Sequence, residues 1–132
     1  MIIANPFVHI ELHTDDLAKA KDFYSKLFDW KLVDTSIPGG GSYTLINVGE
    51  GTGGGMMTGP APGVPPHWMA YVGVDDIVSS TAKAKSLGAT VVQDVMDVAD
   101  YGRMSIIVDP TGATIALWQS NPKHTQAVEQ AG

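Results

Sequence analysis

The residue types that could bind a cation or move a proton are concentrated near the start of the chain. His9 and Glu11 alternate there with the apolar Val8, Ile10 and Leu12. A period of two predicts a strand with one polar and one apolar face, so His9 and Glu11 share the polar face. A histidine serves as a general base near pH 7 or as a metal ligand. We favour contact with a bound ligand over metal binding for His9, and a hydrogen-bonded histidine in a partly wet cavity stays an alternative.

The composition excludes several other chemistries. The chain has no cysteine, which excludes thiolate metal sites, disulfides and cysteine nucleophiles. The glycine-rich stretch 49–55 lacks the lysine and the following helix that a phosphate-binding loop requires. Lys and Arg total 8 against 14 Asp and Glu, a formal net charge of −6, so the chain can hardly supply a basic face for nucleic acid.

The sequence indicates neither a membrane span nor export. No apolar run approaches the ~20 residues that cross a bilayer, and no basic region precedes the apolar stretch at the N-terminus. We therefore expect no membrane or nucleic-acid partner and a cytoplasmic location.

Strands and helices must position these candidate residues, and the periodicity predicts where they lie. In the first half we predict a strand at residues 7–13 and, after the capping pair Asp15-Asp16, a helix at 17–28. Three further strands follow at residues 30–35, 42–48 and about 54–58. A Pro-rich connector, residues 59–66, precedes a second half of the same order, with a strand at 67–74, a helix from Asp75-Asp76 to about Leu87, and strands at 89–93, 103–108 and 113–118. The polar residues 119–132 predict a loosely held tail.

The two halves superpose when the chain is shifted by sixty residues. Asp15-Asp16 then falls on Asp75-Asp76, and Leu27 falls on Leu87. Such identities are few, but the shared order of elements on both sides of one connector indicates two copies of a βαβββ unit.

The duplicated βαβββ pattern and three segments of the sequence resemble the vicinal oxygen chelate superfamily, which includes glyoxalase I, bleomycin-resistance proteins and extradiol dioxygenases. The segments are VHIELHTDDLAKAKDFYSKLFDWKL, PHWMAYVGVDDIVSSTAKAKSLGATVV and VDPTGATIALWQ. The resemblance implies one α+β domain over residues 1–132, with modules at about 6–58 and 67–118. These would form a cupped eight-stranded mixed sheet with helices outside, and a homodimer. It is specific for the fold and not for the activity.

In metal-dependent members of the superfamily, the resemblance places the ligands on the first and last strands of each module. The corresponding residues here are His9, Met69, Met56 and Ala116, so one donor of four is kept. Thioether and methyl groups offer nothing useful to a hard or borderline cation, and we expect neither the usual metal nor another cofactor. A rearranged set of two histidines and one carboxylate, His9, Glu11 and His67, stays an alternative.

The resemblance further implies that the inner side of the cup holds the ligand. The predicted ligand-binding residues are His9, Glu11, Tyr43, Asn47, Met56, His67, Met69, Tyr71, Arg103, Ser105 and Trp118. Aromatic and thioether groups suit a mostly apolar small molecule that a few polar groups orient. Arg103 would bind a carboxylate or phosphate of that molecule, unless it pairs with Asp97 or Asp100 at the rim.

Three functional hypotheses follow. The leading one is a glyoxalase/bleomycin-resistance-like protein that binds a small organic molecule without the metal, as a sequestering binder or a metal-independent enzyme. The second is a metal-dependent lyase, isomerase or dioxygenase that uses His9 in a non-standard ligand set. The third is a non-catalytic interaction protein with a closed cup.

Overall fold

A computed structural model describes residues 4–36, 42–59 and 62–122, and their ten elements follow the predicted order. The bounds are β1 Phe7–Thr14, α1 Leu17–Leu27, β2 Lys31–Ser36, β3 Ser42–Asn47, β4 Gly54–Thr58, β5 His67–Gly73, α2 Ile77–Ser86, β6 Thr90–Val98, β7 Gly102–Val108 and β8 Thr114–Ser120. Both the α+β class and the twofold βαβββ order are therefore confirmed. Most of the predicted tail, residues 123–132, and part of the connector, residues 60–61, lie outside the described residues.

The first of two compact units lies within residues 9–69. Its strands are ordered β2-β3-β4-β1, with β1 and β4 parallel and the other neighbours antiparallel. The Asp16 side chain caps α1 by accepting a hydrogen bond from the Lys19 amide. Leu12, Ile46 and Met56 form the core on the side of the sheet that α1 covers, because Leu17, Ala20 and Tyr24 of that helix pack against them.

The second unit combines, among the described residues, 4–8 with 70–122. Its strands are ordered β5-β8-β7-β6, with β5 and β8 parallel. Asp76 caps α2 as Asp16 caps α1. The core on the α2 side contains Val74, Ile77 and Leu117.

The sequence offset between the units changes by one residue along the chain. Leu12 and Val72 lie sixty residues apart and both face their unit's helix. The equivalent core residues of the last strands, Met56 and Leu117, lie sixty-one residues apart. The second unit has one residue more between its helix and its third strand, and β6 contains register irregularities there. A shift of one residue moves every side chain to the opposite face of the strand. Face assignments that use a constant offset of sixty residues between the units therefore fail in β4 or β7.

No helix in the described part of the chain is long and apolar enough to cross a membrane.

Candidate functional site

Hydrogen-bonded polar side chains form a cluster on the face of the first unit's sheet opposite α1. We call His9, Glu11, His13 and Tyr43 the Glu11 cluster, because the buried Glu11 carboxylate is at its centre. The Tyr43 hydroxyl donates a hydrogen bond to Glu11 Oε2 at 2.6 Å, and His13 Nε2 lies 2.7 Å from Glu11 Oε1. His9 Nε2 lies 2.6 Å from the Tyr43 hydroxyl oxygen and 3.9 Å from Glu11 Oε2.

Tyr43 reaches Glu11 by crossing a strand. β4 lies between β3, which carries Tyr43, and β1, which carries Glu11. Gly55 is the β4 residue that pairs with Glu11. A Cβ atom at Gly55 would overlap the hydroxyl oxygen and two ring carbons of Tyr43. The glycine therefore leaves the space that the phenol ring occupies, a close approach that a side chain would prevent.

The single hydroxyl proton of Tyr43 sets the direction of these hydrogen bonds. Tyr43 uses that proton in its hydrogen bond to Glu11, so its oxygen accepts a hydrogen bond from His9 Nε2. A neutral His9 ring then has its proton on Nε2 and its lone pair on Nδ1. Burial lowers the pKa of His9 below its ordinary value, and the negative charge of Glu11 offsets part of that effect. His9 is therefore mainly neutral at pH 7.

One end of the cluster is open to solvent. The His9 side chain is 29% exposed, whereas that of Glu11 is 8% exposed. Leu45, the β3 neighbour of Gly55, shares this face of the sheet and is also exposed. The exposed surface at the cluster therefore includes part of an imidazole and an apolar side chain, while the carboxylate is buried.

His67 contacts the cluster through His13. The two rings stack with centroids 5.1 Å apart and an interplanar angle of 11°, and His67 Nδ1 lies 3.0 Å from the Pro65 carbonyl oxygen. The carboxylate of Glu11 thus contacts His13, which sequence reasoning left out of the candidate set. The signal was present, because His13 continues the period of two that begins with His9 and Glu11.

The remaining candidates of the first unit lie apart from the cluster's hydrogen bonds. The prediction that Met56 contacts a ligand is wrong: its side chain is fully buried in the core beneath α1, because Met56 pairs with Leu12 and shares its face. Asn47 Oδ1 accepts a hydrogen bond from the Gly49 amide at 2.9 Å, within the turn after β3. Met69 is buried, and ligand contact by Asn47 or Met69 stays a prediction.

Two aromatic candidates meet in the second unit. The Tyr71 and Trp118 rings contact edge to face, with centroids 6.4 Å apart. Tyr71 pairs with Ala116 on the face of the sheet opposite α2. The Trp118 indole donates a hydrogen bond to Ser120 Oγ at 2.9 Å.

Arg103 and Ser105 do not lie on the inner side of the sheet, where we expect them from the sequence, because Ser105 faces α2. Ser105 is fully buried, and its hydroxyl lies 2.9 Å from the hydroxyl of Thr81 in α2. Arg103 is two residues away on the same face of β7, and its Nε lies 3.3 Å from Asp97 Oδ1. The ion pair with Asp97, which is the alternative given for Arg103, is therefore present, and ligand contact by Arg103 stays a prediction. The sixty-one-residue offset explains both errors, because it makes Met104, and not Arg103, the counterpart of Tyr43.

Each unit also contains a cavity of about 210 Å³. The cavity of the first unit lies on the α1 side of the sheet and is lined by Ile10, Trp30, Ile46, Val48, Thr52, Gly53, Gly54 and Trp68. The cavity of the second unit is more polar and includes Asp97, Arg103 and Gln119. Neither cavity is lined by residues of the Glu11 cluster.

The chain is a small α+β protein with a duplicated βαβββ order. Its candidate site, the Glu11 cluster, lies on the sheet face opposite the helix. The sequence model of the Glyoxalase/Bleomycin resistance protein/Dioxygenase superfamily matches residues 7–117, and the chain belongs to this superfamily. The resemblance seen in the sequence is thereby confirmed.

Curated relatives and solved structures agree with this family. The chain is 40% identical over 116 residues to "Putative glyoxylase CFP32" of Mycobacterium tuberculosis, covering 85% of this chain and 44% of the relative. It is 31% identical over 127 residues to "Anthracycline biosynthesis protein DnrV" of Streptomyces peucetius, covering 83% and 45%. The chain thus spans slightly less than half the length of these relatives.

Among solved structures, methylmalonyl-CoA epimerase from Mycobacterium tuberculosis superposes with a TM-score of 0.70 at 19% identity, covering 96% of this chain and 97% of the epimerase. The hypothetical protein BH1468 from Bacillus halodurans C-125 superposes with a TM-score of 0.69 at 16% identity, covering 89% and 96%. At these identities the likeness establishes the fold alone.

The residues present do not fit the metal of the metal-dependent members. Of the positions that the resemblance assigns to ligands, His9 alone carries a donor that a divalent cation prefers, since Met69 and Ala116 carry none. On β4 the residue that faces the cluster is Gly55, which has no side chain. The described residues include no group of three or more His, Cys, Asp or Glu arranged to hold a metal ion.

Proposed function

We propose that this chain binds a small organic molecule at the Glu11 cluster, and that the cluster replaces the divalent metal of the family. The observation that carries the proposal is the placement of Tyr43. Its phenol crosses Gly55 and donates a hydrogen bond to Glu11. Both carboxylate oxygens of Glu11, which a metal would need as ligands, are thus hydrogen-bonded to Tyr43 and His13. We expect His9, whose side chain is 29% exposed, to contact the ligand.

The surroundings of the cluster support a ligand with an apolar frame and at least one polar group. His9 offers a polar contact at the edge of a buried charge, and Leu45 offers exposed apolar surface on the same face. Such a mixture is typical of small-molecule sites. The names of CFP32 and DnrV, a glyoxylase and a protein of anthracycline biosynthesis, are compatible with a small organic ligand.

Metal content tests the first half of the proposal. The purified protein is incubated with Zn²⁺, Ni²⁺, Mn²⁺ or Fe²⁺, desalted and analysed for bound metal. We expect much less than one equivalent of every ion. One equivalent of any of them, lost in the His9→Ala variant, would contradict the proposal and support a metal-dependent lyase, isomerase or dioxygenase.

A thermal-unfolding screen of small organic molecules tests the second half. A ligand at one hundred times its Kd stabilises a folded protein by about 2.7 kcal/mol, which raises the Tm measurably. We expect the rise in the wild type and a smaller one in Tyr43→Phe. Tyr24→Phe is the matched control, since its hydroxyl lies on the α1 side and accepts a bond from Trp68. If no compound stabilises the wild type, the non-catalytic interaction protein is favoured.

The homodimer and the cytoplasmic location stay predictions. Sedimentation of the purified chain at several concentrations tests the first, and fractionation of cells that express it tests the second.

A further inference from the structure

We propose that the cavity on the α1 side of the first unit is a second binding site, which takes a small, neutral molecule with one aromatic ring. We call it the Trp cavity, because Trp30 and Trp68 line it together with apolar side chains. The inference goes beyond the proposed function, since the cavity and the Glu11 cluster share no residue and lie on opposite faces of the sheet.

The size and the chemistry of the Trp cavity suit a single ring. Its volume is about 210 Å³, and an apolar cavity of about 150 Å³ is enough to bind benzene. Ile10, Ile46 and Val48 supply aliphatic lining beside the two indole rings. None of the eight described residues that line the cavity carries a charge. An ionised ligand would therefore lose its hydration without gaining a charged partner, which favours a neutral ligand.

One helix residue holds both tryptophans in place. The ring of Tyr24 in α1 stacks on Trp30, with centroids 5.6 Å apart and an interplanar angle of 26°. The Tyr24 hydroxyl accepts a hydrogen bond from the Trp68 indole nitrogen at 3.3 Å. The rings that would contact the ligand are thus ordered by contacts within the protein, which lowers the entropy cost of binding.

The relative orientation of the two indole rings favours a flat ligand. The Trp30 and Trp68 centroids are 6.2 Å apart and the ring planes are inclined by 75°, so the rings form a corner. A flat ring in such a corner can stack on one indole and meet the other edge to face, which are the arrangements that aromatic pairs prefer. Trp68 is also 37% exposed, which gives a ligand access to the cavity from solvent.

The test uses iodobenzene, because its heavy iodine atom quenches the fluorescence of a tryptophan that it contacts. The chain has three tryptophans, and Trp118→Phe leaves the two of the Trp cavity as the emitters. We expect the fluorescence of this variant to fall along a saturating curve as iodobenzene is added. In the double variant Trp30→Phe/Trp68→Phe, Trp118 reports collisions alone, so its weaker quenching should rise linearly with the iodobenzene concentration.

Competing compounds test the preference for a neutral ligand. Toluene should displace iodobenzene from the Trp118→Phe variant and restore its fluorescence. Benzoate has the same ring but carries a negative charge, so it should need a concentration at least about tenfold higher for the same displacement.

Removal of one indole tests the preference for an aromatic ring. In the Trp118→Phe background, Trp68→Leu keeps the lining apolar and leaves Trp30 as the emitter. Loss of one aromatic contact should weaken iodobenzene binding by about two- to tenfold. An unchanged affinity would exclude recognition of the ligand by the pair of rings.

A filled cavity should exclude the probe. Val48→Phe, added to Trp118→Phe, enlarges a side chain of the lining and should abolish the saturating part of the quenching. Val78→Phe is the matched control, because Val78 is an exposed residue of α2 in the second unit. Circular dichroism checks that the Val48→Phe variant folds, and the Trp68→Leu comparison carries the test if it does not.

Three further results would overturn the inference. Linear quenching of the Trp118→Phe variant would show that iodobenzene has no site beside Trp30 and Trp68. Saturating quenching that persists in a folded Val48→Phe variant would exclude the Trp cavity as the site. Equal displacement by toluene and benzoate would exclude a preference for neutral ligands. Each result leaves the proposed function intact, because metal content and the effect of Tyr43→Phe on ligand-dependent stabilisation do not involve the Trp cavity.

Discussion

The two units place different chemistry at equivalent positions of their first and last strands. In the first unit, Glu11 pairs with Gly55, and the carboxylate receives the Tyr43 hydroxyl across the glycine. In the second unit, Tyr71 pairs with Ala116, and its ring packs against Trp118. The same strand geometry thus supports a buried charge in one unit and an aromatic contact in the other.

The difference depends on which side chain can cross the last strand. Tyr43 crosses β4 because Gly55 has no Cβ atom. Its counterpart in the second unit is Met104, which has no hydrogen-bonding hydroxyl, and the intervening position is Ala116. The two units thus share one strand arrangement, while the polar cluster described here lies in the first.

Removal of core side chains beneath the helices has the largest expected effect, and it should be similar in the two units. Met56→Ala and Leu117→Ala each remove a buried side chain, which costs about 2–5 kcal/mol of unfolding free energy. Urea denaturation measures this loss. Met56→Ala should leave ligand-dependent stabilisation intact. A variant of normal stability that no longer binds ligand would instead make Met56 a ligand contact.

A methyl group added at Gly55 should destabilise the first unit through a clash that has no counterpart in the second. Gly55→Ala places a Cβ atom inside the Tyr43 ring, and overpacking of this kind costs about 1–3 kcal/mol. In a double-mutant cycle, Tyr43→Ala should remove most of that cost, because the two groups compete for one space. The reverse change in the second unit, Ala116→Gly, has no such partner. Additive effects of Gly55→Ala and Tyr43→Ala would show that the ring does not cross the strand.

Acid should destabilise the first unit through His9. Burial lowers the pKa of His9, so the folded state binds fewer protons than the unfolded state below about pH 6.5. Stability is then full above that pH and falls as the pH decreases, by at most about 1.4 kcal/mol per pH unit for one proton. Denaturation curves between pH 7 and 5 should be flatter for His9→Gln. An equal slope in both proteins would refute the lowered pKa.

The ion pair at the rim of the second unit should contribute least. Arg103 and Asp97 are both exposed, and such pairs contribute about 0–1 kcal/mol. Asp97→Asn should change the unfolding free energy by no more than that and leave ligand binding unchanged. Loss of ligand binding in this variant would instead support Arg103 as a ligand contact.

Much of the frame could be predicted from local patterns. Asp16 and Asp76 cap their helices as their position before each apolar run predicts. The alternation of His9 and Glu11 with Ile10 and Leu12 correctly separated the two faces of β1. These features depend on neighbouring residues alone, which a sequence displays directly.

The errors came from features that depend on distant residues. The extra residue before β7 lies where β6 is irregular, and hydropathy alone does not reveal it, since both faces of β7 carry apolar side chains. Ser105 and Met56 were therefore assigned to the wrong face. The passage of Tyr43 over Gly55 joins residues of two strands across a third, and no spacing along the chain indicates it.

The protonation of the His9 ring tests the central claim most directly. A long-range ¹H–¹⁵N NMR spectrum reports which nitrogen of each histidine carries a proton, and His9→Gln identifies the signals of His9. We predict a neutral ring protonated at Nε2 at pH 7, unchanged when one equivalent of Zn²⁺ is added. A ring protonated at Nδ1, or His9 signals that shift with Zn²⁺, would contradict the replacement of the metal by the Glu11 cluster.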